Sequence, residues 1–173
     1  MKSKNLGIGI AVIAVIAIAG LFLGMTGFLS LSQGENSGNL VTRNTFTETS
    51  NEIETINGKP VIRLFSTTWC PHCVWIKGTF DSVAKEYVER GEIVAYHWEL
   101  DTGDNTLTQE IETEIPESET NVFKAFNPRN SIPTFVFGGK YFRIGNGYES
   151  TGSLALEEKE FKELIEKLIE EAK

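Results

Sequence analysis

Hydrophobic and polar positions follow two different patterns along this chain, and the change between them divides it. Lys2 and Lys4 are followed by no charged side chain until Glu35, and within that gap Leu6 to Leu29 is 24 residues of almost unbroken apolar character. As a helix this run reaches roughly 36 Å, enough to cross a hydrocarbon core of about 30 Å with some tilt. All its amides would bond internally, as lipid requires. The competing reading is a cleaved signal peptide with Ser30-Leu31-Ser32 as its processing site, but such apolar regions normally span only about 7–15 residues. The expectation is an N-terminal transmembrane anchor over residues 1–32, a polar linker over 33–39 ("QGENSGN") and one domain over 40–173. Lys2 and Lys4 on the cytoplasmic side place that domain outside the cytosol, at the cell membrane. Gly20 and Gly24 make a GxxxG pair, which the general abundance of glycine in membrane helices also accounts for.

Beyond Leu40 the runs are short and periodic. "LVTRNTF" (40–46) reads as an edge strand, and "TETSNEIETINGKP" as holding a short helix from Ser50, ended by Asn57-Gly58 and Pro60. "VIRLFST" (61–67), β-branched and apolar, predicts a buried strand. Phe80, Val83, Ala84, Tyr87 and Val88 fall on one face of a helix, and Gly91 stands where a C-terminal glycine belongs. Ile93 to Leu100 is the next strand. Ser118 then predicts an N-cap for a helix through Phe126, stopped by Asn127-Pro128. "TFVFGGKYFRI" predicts a hairpin with a two-residue Gly-Gly turn. Phe161, Leu164, Ile165, Leu168, Ile169 and Ala172 predict a final amphipathic helix. Strand, helix, strand, helix, hairpin and helix make an α/β domain with a mixed central sheet and helices on both faces.

Charge narrows the partners. Without Lys2, Lys4 and Glu35, 14 basic and 23 acidic side chains remain, a net of −9. That argues against nucleic acid and against an anionic lipid surface as partners of the domain. Nine acids and no Lys or Arg lie between Arg90 and Lys124. A solvated surface insertion is favoured there over a lid or a selector of basic partners.

The chemistry is concentrated in "FSTTWCPHC" (65–73), which holds both cysteines of the chain. Cys70 follows a predicted strand and opens a predicted helix, where unpaired amides and the macrodipole favour an anion, hence the attacking thiolate. Pro71 suits the first helical turn because its missing N–H has no intrahelical partner there. His72, when protonated, adds a second positive charge beside the sulfur. Cys73 lies one turn further in and is shielded by the helix. By access, Cys70 attacks a partner's disulfide and Cys73 resolves the mixed disulfide.

"WCPHC" on a strand-to-helix turn, with "SIPTFVFGGKYFRIGNG" further along, resembles the thioredoxin superfamily over residues 40–173. The resemblance implies the thioredoxin fold, a cis Ile132-Pro133 bond beside the cysteines, and substrate main chain bound by backbone groups of Ile132. Trp69 would offer peptides a platform. The tetrapeptide is similar to that of DsbA-type disulfide oxidases, whereas the short domain, with only residues 101–117 available as an insert, resembles thioredoxin. Two positions depart from the thioredoxin pattern. The buried acid six residues before the first cysteine is Leu64 here, and the lysine that pairs with it is nearest to His97. Proton handling at Cys73 would therefore differ from thioredoxin's, through His97 as a possible relay, through water or through the substrate; the plainer reading of His97 is a histidine packed on its strand.

Two rivals use the same residues. Cys70, His72 and Cys73 would suit a soft ion such as Cu(I), although a structural zinc lacks a full set of four ligands. A static disulfide clip is the other. The favoured reading is an extracytoplasmic thiol–disulfide oxidoreductase acting on protein thiols and disulfides, recycled by a redox partner. It needs no cofactor or metal, and leans to dithiol oxidase over reductase.

Overall fold

Nearly every residue of the central strand β3 (Lys59–Ser66) is buried, which is why its sequence reads as a continuous apolar run rather than an alternating one. This computed structural model describes residues 45–49 and 51–173. The anchor expected over 1–32, the linker over 33–39 and residues 40–44 of the expected edge strand lie outside them. Among the described residues no helix is long and apolar enough to cross a membrane.

The other elements are β1 (Thr47–Glu48), β2 (Thr55–Ile56), α1 (Pro71–Glu89), β4 (Val94–Glu99), α2 (Glu117–Phe126), β5 (Thr134–Phe137), β6 (Tyr141–Ile144) and α3 (Leu154–Glu171), with a short 3-10 turn at Glu149–Thr151 before α3. β4 pairs parallel with β3, and β5 pairs antiparallel with it. β6 extends the sheet from β5, and β1 extends it from β6, both antiparallel. The sheet is mixed, as the element order predicts.

One face of the sheet carries α1 and α3 over a core of Ile62, Leu64, Phe80, Phe135, Phe137, Phe161 and Leu168, among others. The other carries α2 over Phe65, Trp98, Phe123 and Val136. Strand alternation sends Leu64 to the first face and Phe65 to the second. Two buried arginines tie the layers together. Arg63 reaches Glu119 of α2 at 2.7 Å through Nε and at 2.9 Å through a terminal nitrogen, and Glu54 at 2.6 Å. Burial opposes the charge of Arg63, but these carboxylates outweigh it and hold the guanidinium more firmly protonated than usual. Arg143 reaches Glu157 at 2.6 Å and Glu160 at 3.0 Å on α3, with Phe46 and Phe135 each 4.6 Å from its guanidinium carbon.

Four sequence expectations change. Residues 51–54 are not helical, and Asn57 (φ 53°) and Gly58 (φ 75°) form a two-residue hairpin turn joining β2 to β3. Asn-Gly tolerates positive φ at both positions, so it reverses the chain instead of ending a helix. Of the expected edge strand, the two described residues Thr45 and Phe46 are not in a strand; the strand described here is Thr47–Glu48, and Phe46 fills the core. α2 begins at Glu117 with Pro116 as its cap residue, and Ser118 sits inside its first turn. The Gly-Gly turn contains three residues, because Phe137 pairs with Tyr141 and Lys140 drops out of the ladder. The acidic stretch is not solvated throughout either. Glu99 and Glu119 are buried, and Glu119 is the partner of Arg63.

Candidate active site at the head of helix α1

β3 delivers the chain to Thr67, Thr68, Trp69 and Cys70, and α1 takes it away. Cys70 is the N-cap residue (φ −75°, ψ 122°), Pro71 occupies the first turn, and the Cys70 carbonyl accepts the first helical bond from Val74 N at 2.9 Å. Both cysteines are free thiols. Cys70 keeps 6% of its surface exposed and Cys73 none. Burial pushes the Cys73 thiol up to about 12. The Thr67 backbone N–H and hydroxyl oppose the rise, while the neighbouring Cys70 sulfur adds to it.

The exposed residues beside Cys70 are mixed, with Trp69, Pro71 and Val74 apolar and Thr68 and His72 polar. Trp69 is 70% exposed, and Val74 is also exposed. The turn beneath Trp69 is held by Asp101, which accepts from Thr68 N at 3.1 Å and from its hydroxyl. Burial nudges the Asp101 carboxyl up, but the Thr68 bonds outweigh it and leave it below the usual carboxylate range.

His72, exposed between the two cysteines, is not free. Its Nδ1 lies 2.9 Å from both carboxylate oxygens of Glu149. Asn146 Nδ2 donates to the His72 carbonyl at 2.9 Å and to Glu149 at 2.8 Å. Slight burial pushes Glu149 up, but Asn146 and His72 together draw it below its ordinary value.

The Ile132-Pro133 peptide is cis. Pro133 is buried and Ile132 half-buried against the α2-side cluster. Asn127 shapes this loop, donating to Thr134 Oγ1 at 2.7 Å and to the Ser131 carbonyl. Gly145 N donates to the Pro133 carbonyl at 2.8 Å, and the next residue is the Asn146 that holds His72. Residues 145–149 thus bridge the proline loop to the cysteine dipeptide.

His97 is fully buried and pairs across the sheet with Leu64. Its Nε2 lies 2.7 Å from Ser66 Oγ, and its Nδ1 lies 2.6 Å from Asp81 and 2.8 Å from Thr106 Oγ1. Both ring nitrogens are engaged by oxygen, which leaves neither for the Cys73 sulfur.

Sequence reading missed Thr67, Asp101, Asn127, Asn146 and Glu149. Asn127 carried a signal, as a polar residue at a helix stop before the proline loop. Asp101, Asn146 and Glu149 act through contacts distant in sequence. Among the described residues, no group of three or more His, Cys, Asp and Glu is placed to hold a metal ion. What the site can do is cycle between dithiol and disulfide: a sulfur that keeps slight exposure at a helix start is followed one turn on by a fully buried one.

No curated protein matches the sequence significantly. The family model for the thioredoxin-like domain matches residues 51–166, from the β2 hairpin through most of α3. That span contains the cysteine pair, the proline loop and all of the central sheet except β1, and the chain belongs to the thioredoxin-like domain family.

Proposed function

We propose that this protein is a membrane-anchored, extracytoplasmic thiol–disulfide oxidoreductase that exchanges disulfides with other proteins, running in the oxidising direction. The observation that carries it is the contrast between Cys70, at the N-cap of α1 beside the exposed Trp69, and Cys73, fully buried one turn behind. In the oxidising direction a substrate thiolate attacks Cys70 of the Cys70–Cys73 disulfide, and Cys73 leaves. A second substrate thiol then displaces Cys70, forming the substrate disulfide and returning the dithiol, which a redox partner reoxidises. His72 tunes the couple, and Trp69, Ile132 and Pro133 form the substrate groove. The two sulfurs carry the electrons, so no cofactor enters.

The direction rests on Pro71-His72. A cation beside the Cys70 thiolate stabilises the reduced form, which makes the couple oxidising. A reductase is the second reading, favoured by the absence of any helix between β4 and α2, which gives the site a thioredoxin-like frame. The full-length chain equilibrated with glutathione decides between them. A potential near that of DsbA supports the oxidase, and one near that of thioredoxin removes it. A Cu(I) carrier would instead bind the ion tightly and turn over no disulfide with or without chelator.

A further inference from the structure

In a trans peptide group the C=O and the N–H point in opposite directions within one plane, so whatever holds the carbonyl also aims the N–H. The peptide joining Ser131 to Ile132 is held in this way. Its carbonyl, on Ser131, accepts from Asn127 Nδ2 and from Thr134 Oγ1, the latter at 2.8 Å. Asn127 Nδ2 also donates to Thr134 Oγ1 at 2.7 Å, and both side chains belong to fully buried residues. Two donors occupy the two lone pairs of the Ser131 oxygen, which turns the Ile132 N–H of the same peptide away from them. Neither that N–H nor the Ile132 carbonyl has a backbone hydrogen-bond partner among the described residues. The next carbonyl, that of Pro133, is fixed by Gly145 N at 2.8 Å.

Packing alone does not account for Asn127. Its Oδ1 is buried without a partner among the described residues, and an unpaired buried acceptor costs stability that an apolar side chain of the same shape would not. Such a group in a folded protein calls for a reason, and the bonds made by the amide nitrogen supply one. The residue is also well anchored: it caps the C-terminus of α2, where its backbone N–H donates to the Phe123 carbonyl at 2.9 Å.

We infer that Asn127 is the positioning residue for the substrate's main chain: by pinning the Ser131 carbonyl it aims the Ile132 N–H at a carbonyl of the bound polypeptide, and so makes the site select polypeptide disulfides over small ones. The inference rests on the oxidoreductase reading, in which Ile132 lines the groove. It does not rest on the direction of exchange, because the same main chain is bound whichever way the electrons move.

The test uses reduced full-length protein and two disulfides with one coloured leaving group. One is DTNB, which has no peptide group; the other is an end-blocked cysteine peptide joined to thionitrobenzoate. In both, Cys70 loses its proton to water and bonds to the substrate sulfur, and thionitrobenzoate leaves with the electron pair of the broken S–S bond. Asn127→Leu, close in shape but without the donor, should slow the peptide reaction about fivefold, the weight of one hydrogen bond, and leave the DTNB reaction within about twofold of wild type. Thr134→Val, which removes the other donor to Ser131, should show the same selective loss, and it carries the test alone if the leucine protein folds poorly. A loss on DTNB as large as that on the peptide, as a disturbed fold would give, overturns the inference. So does a peptide rate equal to that of wild type. A wild-type protein that reacts with neither disulfide overturns the oxidoreductase reading itself, and the inference with it.

Discussion

His72 Nδ1 lies 2.9 Å from both carboxylate oxygens of Glu149, so the cation expected to tune Cys70 carries its own counter-ion. The pair is held by Asn146, which also reaches the backbone of His72. Glu149 tempers what His72 does: a carboxylate beside the imidazolium cancels part of the positive field at the Cys70 sulfur.

Removing that carboxylate leaves the cluster more positive at any pH. Glu149→Gln should therefore shift the glutathione equilibrium towards the reduced protein, by up to about fivefold given the exposure of the pair. A shift the other way would mean that Glu149 acts mainly by positioning the ring.

The exposed Trp69 separates binding from stability. Trp69→Ala should leave the urea midpoint nearly unchanged, because the side chain buries little. It should lower the rate with a protein disulfide such as insulin while sparing small disulfides. Equal losses on both substrates would count against a peptide platform.

Arg63 gives a stability contrast. Glu119→Leu strands a buried guanidinium that keeps only half-exposed Glu54, and should cost about 3 kcal/mol in urea unfolding. Glu54→Gln should cost less than about 1 kcal/mol. Similar losses for the two would show that Glu119 does not bear the main load between α2 and the sheet.

Cys73 predicts a pH dependence. Its folded value is raised from the ordinary 9.0 to about 12, chiefly by burial. Above about pH 9 the unfolded chain therefore holds fewer protons than the native one, and stability falls as pH rises towards 12. Comparing Cys70→Ser with the Cys70→Ser/Cys73→Ser double variant isolates this group. The single variant should lose stability over that window relative to the double, and parallel curves would show that Cys73 is not buried as described.

Much of the fold was legible because local rules decided it. The apolar run of β3, the helical spacing from Phe80 to Val88 and the Phe161 to Ile169 repeat each specify an element from neighbours in sequence. Asn57-Gly58 misled for a local reason as well: the same pair that ends a helix also turns a hairpin, and only the pairing of Thr55 with Pro60 chooses between them. Ser118 yielded to Pro116 because proline fixes φ and so sets the helix start two residues earlier.

By itself the sequence determined the redox-competent pair. A proline at the helix start, two cysteines one turn apart and a preceding β-branched strand specify which sulfur is the more accessible of the two. Only the tertiary structure decided what surrounds them. Glu149 meets His72 across 77 positions, Asp101 meets Thr68 across 33, and Ser66 meets His97 across 31. Such contacts have no period and no local signature, since they arise where the sheet order brings loop ends together. The same order engages His97 in an oxygen network, because alternation along β3 and β4 fixes which side chains share a face.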